Sequence, residues 1–492
     1  MVGKKILTTI LLGSIVGVMS KDNKEPKKEV PVTDTQKALE KAKMENFEKR
    51  ITKRGTLFDA LESALRNNKE ILSAQSELMA AHENRVTAAS AFRPKASLNS
   101  KAQLSSKKDR RKAANDNDTV GLKNSYDDKV FSYGVGVSQN LFHGFSDLAA
   151  LKESDLSIKS KWYAYEAKIQ EVLLNVAITY FALIAKRDEI SHLKALLEAR
   201  QNSKEVAEWM YKTGEVKYLD VSQAIAAVSE TESKLAVAAA EYIANCVQFE
   251  VLTGYKVPQI LTMVEKIFDE NITEKQAFEI AKKDNPQIIA ATYALLAAKE
   301  AVKKPTIEFV PSLDVSYSFD QMRNRSTNTR GHASDKFHET GNTVTLSLSA
   351  PIYDGGRARA EKRKYIDMAT QTAVEKEQII ENEKTKITTV WAAMAAAKQS
   401  LLSARKAVEA RKIALHDAEE EYKTGIKIVN DVLEAQEKLF EAKYMETKAE
   451  NDYFSNQCRA NALIGRMNPQ YLKLKDSGFN YKQHYNKTKN RF

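Results

Sequence analysis

From Asp147 to Tyr211, and again from Arg357 to Tyr422, the chain contains neither proline nor glycine. Nothing inside either run stops a helix, and at about 1.5 Å per residue each would extend on the order of 100 Å. Helices of that length outrun any compact core, so they must find partners along their sides. Ile158, Trp162, Tyr165, Ile169, Val172, Val176 and Leu183 follow the alternating three- and four-residue steps of a heptad seam. At that spacing the aromatic members read as packing knobs rather than a ligand box.

Both runs end on the same sequence. Tyr211-Lys-Thr-Gly214 precedes Asp220-Val221, and Tyr422-Lys-Thr-Gly425 precedes Asp431-Val432. The offset of 211 residues also relates Glu208 to Glu419, Ala224 to Ala435, Tyr242 to Tyr453, Asn245 to Asn456 and Gly254 to Gly465. The chain reads as an internal duplication. In each copy glycine is the expected helix stop and aspartate the expected N-cap of a return helix, Asp220 to Leu252 and Asp431 to Ile464. Each copy is then the tip of a long helical hairpin, at residues 211–220 and 422–431.

A shorter helical block precedes each hairpin. Leu57, Leu61, Leu65, Ile71, Leu72, Leu78 and Met79 outline the first, which ends before Phe92-Arg-Pro94 because proline cannot continue a helix. The second, Thr273 to Lys304 with a break at Asn285-Pro286, parallels Thr56 to Ala91 with its Asn67-Asn68. Phe309-Val-Pro311 then echoes Phe92-Arg-Pro94.

After each proline the periodicity switches to two. Ala96, Leu98, Ala102 and Leu104 alternate with Ser97, Asn99, Lys101 and Gln103, and Phe131, Tyr133, Val135, Val137 and Leu141 with Ser132, Gly134, Gly136 and Ser138. In the second half Leu313, Val315, Tyr317 and Phe319 alternate with Asp314, Ser316 and Ser318, and Val344, Leu346 and Leu348 with Thr345, Ser347 and Ser349. Such alternation is a strand with one apolar and one wet face. The sequence predicts two β-hairpins, about 95–142 and 309–353, with polar loops Ser106 to Asp128 and Asp320 to Gly341. Their strands, about ten residues long, suffice to cross a bilayer when tilted. Four strands do not close a pore and open edges are not tolerated in lipid, so a barrel must be shared among several chains. The competing reading is a soluble sheet, but the two hairpins lie far apart in sequence and offer each other no obvious partner.

Only 17 Gly and 9 Pro punctuate the 492 residues, which favours extended helices over several compact domains. The net charge of +11 is spread as Lys interleaved with Glu along helical segments. Interleaved signs make solvated helix faces, not a phosphate-tracking stripe, so no nucleic-acid partner is expected. Lys4 and Lys5 ahead of an apolar run to Met19 read as a secretory signal over residues 1–20, followed by a charged, flexible leader over 21–55. No later stretch offers about 18 uninterrupted apolar residues, so no transmembrane helix is expected. The Lys-rich segment Lys107 to Lys112 is a candidate for anionic lipid headgroups. The basic tail, 467–492, gives no signal beyond disorder or surface packing.

Catalytic chemistry has no residues to stand on. The seven histidines show no metal-ligand spacing, and no phosphate loop, nucleophile elbow or dinucleotide fingerprint occurs. Neither an enzyme nor a cofactor is expected. Cys246 and Cys458 occupy nearly equivalent repeat positions on neighbouring hairpins and are expected as free, packed thiols.

At Pro351-Ile-Tyr-Asp-Gly-Gly356, between alternating strand and long helix, the chain resembles the TolC family of outer-membrane efflux proteins. Phe309-Val-Pro-Ser-Leu-Asp-Val315, Phe92-Arg-Pro-Lys-Ala-Ser-Leu98 and the two Gly-to-Asp-Val tips look like the family's landmarks in the same order, over roughly residues 56 to 466. The resemblance implies an α+β membrane protein and a homotrimer: four strands per chain in a shared twelve-stranded β-barrel, helical hairpins in a periplasmic α-barrel. The domain order becomes signal, leader, first repeat 56–254, second repeat 255–466 and tail. It also implies a passive outer-membrane duct for a tripartite efflux or type I secretion system, joined to an inner-membrane pump through a periplasmic adaptor that docks at Gly214 and Gly425.

The family's acidic aperture ring falls on Asp431 and Glu434, and the links that hold the mouth shut fall on Asp220, Tyr422 and Lys427. Two positions depart from the family pattern: Glu434 stands for Asp, and Lys427 for Arg, whose bidentate contact Lys does not make. The alternative reading is a periplasmic adaptor or coiled-coil scaffold protein. An adaptor should carry compact β-rich domains flanking one helical hairpin, and this chain has two hairpins and two strand pairs.

Overall fold

The computed structural model describes residues 54–110, 123–262, 272–305, 310–328, 334–474 and 481–488. The expected signal, nearly all of the leader, and residues 111–122 beyond the Lys-rich segment's start lie outside these. The chain divides into two compact units. The smaller is described at Arg54–Gly55 and Pro258–Ile260; β1 is Arg54–Gly55 and β4 is Ile260–Leu261.

In the larger unit α1 (Leu57–Asn67) and α2 (Lys69–Ala89) come first. Thr56 caps α1 in a reciprocal box with Asp59, and Asn68 ends α1 and caps α2. Leu57, Leu61, Leu65, Ile71 and Leu78 are buried as their spacing requires. Leu72, counted with them in the sequence, is exposed, because the break at Asn68 restarts the helical phase. Helix α2 ends in one 3-10 turn, Ser90–Phe92, ahead of Pro94.

Then follow β2 (Lys95–Arg110), β3 (Lys123–His143), α3 (Ser146–Thr213) and α4 (Tyr218–Thr253). The second half places α5 (Glu274–Asp284) and α6 (Pro286–Ala301) before β5 (Ser312–Asn328), β6 (Ser334–Ser349), α7 (Arg357–Lys423) and α8 (Val429–Leu463). The 68-residue α3 and 67-residue α7 are the two uninterrupted runs. The heptad seam is inside: Ile158, Tyr165, Ile169, Val172, Val176 and Leu183 are buried, with Trp162 packed beside them. Phe181 stacks on Phe454 of α8 at 5.4 Å, which ties the second hairpin to the first.

The strands form one antiparallel sheet in the order β2-β3-β5-β6. Two expectations are corrected here. The strands are 16 to 21 residues long rather than about ten, and their ladders continue into the expected loops as far as Arg110, Lys123, Asn328 and Ser334. Backbone pairing needs no apolar side chains, so it persists where the alternation fades. The hairpins also do have a partner, each other, since β3 pairs with β5 from Tyr126↔Asn328 to His143↔Ser312. One bulge interrupts this register at Leu141, between Asn140 and Phe142. On this sheet Leu98, Leu104, Phe131, Val135, Tyr317, Val344, Leu346 and Leu348 are all exposed. An apolar sheet face of that extent is not a soluble surface.

A matched pair of joints closes each hairpin onto its short helices. The Asn68 side chain caps Glu70 N–H at 2.9 Å and donates to the Leu252 carbonyl at 3.0 Å. The Asn285 side chain caps Gln287 N–H at 2.8 Å and donates to the Leu463 carbonyl at 3.0 Å. Gly254 and Gly465 follow with φ of +77° and +78°, ending α4 and closing the turn after α8. In the tail, α9 (Tyr481–Thr488) packs on α2, with His82 Nδ1 and His484 Nδ1 2.7 Å apart and Tyr485 donating to Asp155. Burial, with His484 beside it, pulls His82 down to about 4.

Candidate functional site

The two tips are built with the same bonds. At the first, Gly214 (φ +83°) lets Glu215 N–H reach Met210 O at 2.8 Å while its own N–H reaches Tyr211 O. At the second, Gly425 (φ +79°) lets Ile426 N–H reach Glu421 O at 2.9 Å while its own N–H reaches Tyr422 O. Both are left-handed helix stops that a β-branched residue resists.

The aspartates are not the N-caps that the sequence suggested. Lys217 and Ile428 occupy those positions, and Asp220 and Asp431 lie three residues on, each accepting the cap residue's N–H at 3.1 Å. A carboxylate in the first turn answers the same orphan donors and the positive end of the helix, so the residue type was right and its position displaced. The return helices accordingly begin at Tyr218 and Val429, ahead of the aspartates.

A small core of Ala207, Val221, Ala224, Val429 and Leu433 packs the tips of one chain together. Tyr422 lies against it, and its hydroxyl reaches Met210 Sδ at 3.2 Å. Burial, and then the Asp220 charge, push the Tyr422 phenol above its ordinary range. Two of the expected gate residues are therefore neighbours within the chain. The third, Lys427, pairs instead with Glu421 at 2.6 Å, and this partner raises its ammonium pKa.

Glu434 forms an ion pair with Lys438, one helical turn on. Asp431, Glu434 and Lys427 line a cavity of about 220 Å³ together with Arg411 and Lys438. The two acids expected to form a ring thus share their groove with three cations. Lys438 was legible from its i,i+4 spacing to Glu434; Glu421 and Arg411 were not, since only the turn and the α7–α8 packing bring them there.

Above the tips a polar clasp joins α3, α4 and α8. The Arg200 guanidinium donates to Ala227 O at 3.0 Å, to Thr231 Oγ1 at 2.6 Å and to Glu437, and Lys234 meets the same Glu437 at 2.7 Å. Sequence reasoning missed this cluster because its members come from three helices. Both cysteines are free thiols, as expected, and burial pushes Cys458 up to about 12. Among the described residues no group of three or more His, Cys, Asp or Glu is placed to hold a metal ion.

A four-stranded antiparallel sheet with an exposed apolar face, joined to two helical hairpins whose long arms run 68 and 67 residues, is the architecture of one class: outer-membrane channels of the TolC type. The profile described as "Outer membrane efflux protein" matches residues 60–255 and again 278–466, and the chain belongs to that family. Its place is accordingly the outer membrane. It is 25% identical over 439 residues to the outer membrane efflux protein BepC of Brucella suis, covering 89% of this chain and 91% of that one. To the outer membrane protein TolC of Escherichia coli it is 23% identical, covering 71% and 72%. Among solved structures it is similar to CusC, with a TM-score of 0.69 at 18% identity over 83% of this chain and 92% of that one. The Campylobacter jejuni CmeC outer membrane channel gives 0.67 at 16% identity, over 88% and 89%.

Proposed function

We propose that three copies of the chain close a twelve-stranded barrel in the outer membrane, and that their helical hairpins close a periplasmic tube. The assembly is a passive exit duct without catalysis of its own, fed by an inner-membrane pump through a periplasmic adaptor. The observation that carries this is the sheet: among the described residues its edge strands β2 and β6 each lack a partner on one side, while its apolar face is exposed. Lipid tolerates no such edges, and copies of the same sheet would close them. Proteins similar to this chain include ones described as a pyoverdine export outer membrane protein and an alkaline protease secretion protein, in keeping with a duct whose cargo is chosen elsewhere. Heat-modifiable migration of the purified protein and its fractionation with outer membranes test the barrel; a band unaffected by heating would sink it. A scaffold or adaptor has no use for an exposed apolar sheet face.

The trimer also accounts for apolar stretches on two helices. Both α3 and α4 contain an 18-residue stretch apolar enough, by length and composition, to cross a membrane, although the sequence, judged by uninterrupted runs, promised none. In α3 that stretch is 61% buried within the chain, and in α4 only 11%. Val237, Ile243, Val247 and Val251 of α4 are exposed, and neighbouring copies would cover them. We further assign the two halves, 56–254 and 255–466, to a duplication, supported by the matched tips, the matched Asn68 and Asn285 joints and the two profile matches.

Leu346 and Leu348 would face lipid and Ser347 and Ser349 water. An Arg on that lipid face at mid-membrane should cost about 2–4 kcal/mol. Cysteines introduced at 346 and 347 and labelled with water-soluble maleimide in intact membranes check the register, and faster reaction at 346 would reverse it.

At the aperture Asp431 and Glu434 would place six carboxylates near the threefold axis, making the channel cation-selective and blocked by trivalent metal complexes. Asp431→Ala with Glu434→Ala should weaken that block with little change in conductance. Asp220 and Lys427 would link neighbouring tips, so Asp220→Ala with Lys427→Ala should raise single-channel conductance. Undiminished block in the first variant would misplace the ring, and parental conductance in the second would remove these residues from the gate. Adaptor docking is assigned to the tips: Gly425→Val should insert and assemble normally but cross-link poorly to adaptor, whereas full cross-linking and export would dismiss that role.

A further inference from the structure

Charge on three of the four strands is sorted by face, while β2 carries Lys95 and Lys101 on the wet side. From Asp127 to the bulge in β3, from Ser312 to Ser326 in β5 and from Lys336 to Ser349 in β6, the positions that share a face with the exposed apolar residues carry Lys129, Arg323, Arg325, Lys336 and His338. The opposite face of these segments carries Asp128, Asp314, Asp320 and Glu339, and no basic residue. Only Asp127 puts an acid on the apolar side. Alternation continues without a break there, since the ladders run in register from Lys129 to Asn140 and from Ser312 to Thr327.

The register brings part of this charge together. Lys129 stands directly opposite Arg325, and Arg325 directly opposite Lys336, so three cations lie side by side on three adjacent strands. Two residues lower, Arg323 sits between Phe131 and His338. All five polar side chains in these two rows are exposed. Directly opposed like charges destabilise a sheet, and here the opposition recurs across two consecutive pairings, over about 10 Å. A row of three exposed cations concentrates positive potential, which an anion seated on it would answer.

The level of the rows says which anion. The apolar band begins at Leu313 and Leu348, ten residues below Arg323 on β5. That is about 34 Å along the strand, or about 25 Å along the barrel axis at the usual tilt, which is the height of an outer-membrane apolar band. The rows therefore fall where hydrocarbon gives way to headgroups, on the side of the hairpin turns, away from the helices. On the barrel reading, on which this step rests, that side is the outer leaflet.

We propose that Lys129, Arg323, Arg325 and Lys336 form a lipid-facing binding site for the phosphate groups of a phosphorylated lipid in the outer leaflet. Arg supplies the planar fork that phosphate accepts, and Lys129 and Lys336 flank it as point charges. Phe131, below Lys129 on the same face, presents an aromatic ring to the upper part of the acyl chains. A cation beside an anionic lipid surface strengthens attraction about fivefold, so three together are worth about a hundredfold.

The full-length protein in mild detergent is offered mixtures of lipid A and phosphatidylcholine, and retained lipid is counted by native mass spectrometry. The parent should retain lipid A in preference, and the triple variant Lys129→Gln, Arg325→Gln, Lys336→Gln should lose about a hundredfold of that affinity. Lys101→Gln, on the wet face, should change nothing, and Lys129→Arg with Lys336→Arg should keep binding. Equal retention by parent and triple variant, or loss in the charge-preserving variant, overturns the site. Should the triple variant not assemble, salt decides on the parent alone: lipid A is stripped as ionic strength rises if the site is electrostatic, and salt-independent retention rejects it. Heat-modifiable migration of the same parent sample reports on the barrel separately.

Discussion

Glu437→Ala lowers the stability of the purified protein, followed by denaturant unfolding in detergent, by about 3–5 kcal/mol. The reason is the guanidinium it abandons. The Arg200 side chain is only 4% exposed, and Glu437 is its carboxylate partner from another hairpin. The remaining acceptors, Ala227 O and Thr231 Oγ1, are neutral and leave the charge uncompensated where water does not reach. Lys234 loses the same partner, but it is more exposed and keeps Glu230. Replacing both ends by apolar residues, Arg200→Met with Glu437→Leu, should recover most of the loss, because it removes the buried charge rather than orphaning it. A single-variant loss below about 1 kcal/mol would mean that the clasp is an exposed pair of ordinary value.

Gly465→Ala has a comparable effect through the backbone. With φ at +78°, the added Cβ bears the left-handed cost of about 1–2 kcal/mol, and it would also stand 2.3 Å from the Asp284 carbonyl oxygen. That oxygen belongs to the joint where Asn285 ties α5 and α6 to α8, so it yields only if the joint moves. Gly425→Ala isolates the first term: its φ is +79°, and nothing lies within 4 Å of the new atom. At Gly254 the obstacle is the Asn67 Cβ, 2.7 Å away, a side-chain atom rather than backbone. The expected order of destabilisation is Gly465, then Gly254, then Gly425. Denaturant midpoints of the three alanine variants measure it, and equal midpoints would show that the joint is soft.

Much of this was legible in one dimension because the signals are periodic and local. The absence of proline and glycine determines α3 and α7, the three- and four-residue steps determine their buried seam, and alternation determines the apolar strand face. Glycine in Tyr-Lys-Thr-Gly determines both helix stops, because glycine adopts φ near +80° without steric cost. The aspartates were readable as helix starters but not as third residues, since cap and first-turn acids satisfy the same donors.

Sequence by itself, then, determined the elements, their order and the apolar faces, each set by interactions within a few residues. Tertiary structure decided which elements touch. The β3–β5 pairing that joins the hairpins spans 168 residues of intervening chain, 144–311, and has no local signature, because a ladder is made of backbone that every residue carries. The same pairing decided that Lys129, Arg325 and Lys336 share a row, and helix packing decided that Arg200 finds Glu437 and Lys427 finds Glu421. Charge attraction is not specific to a partner, so only the geometry of the fold selects which opposite charge each one meets.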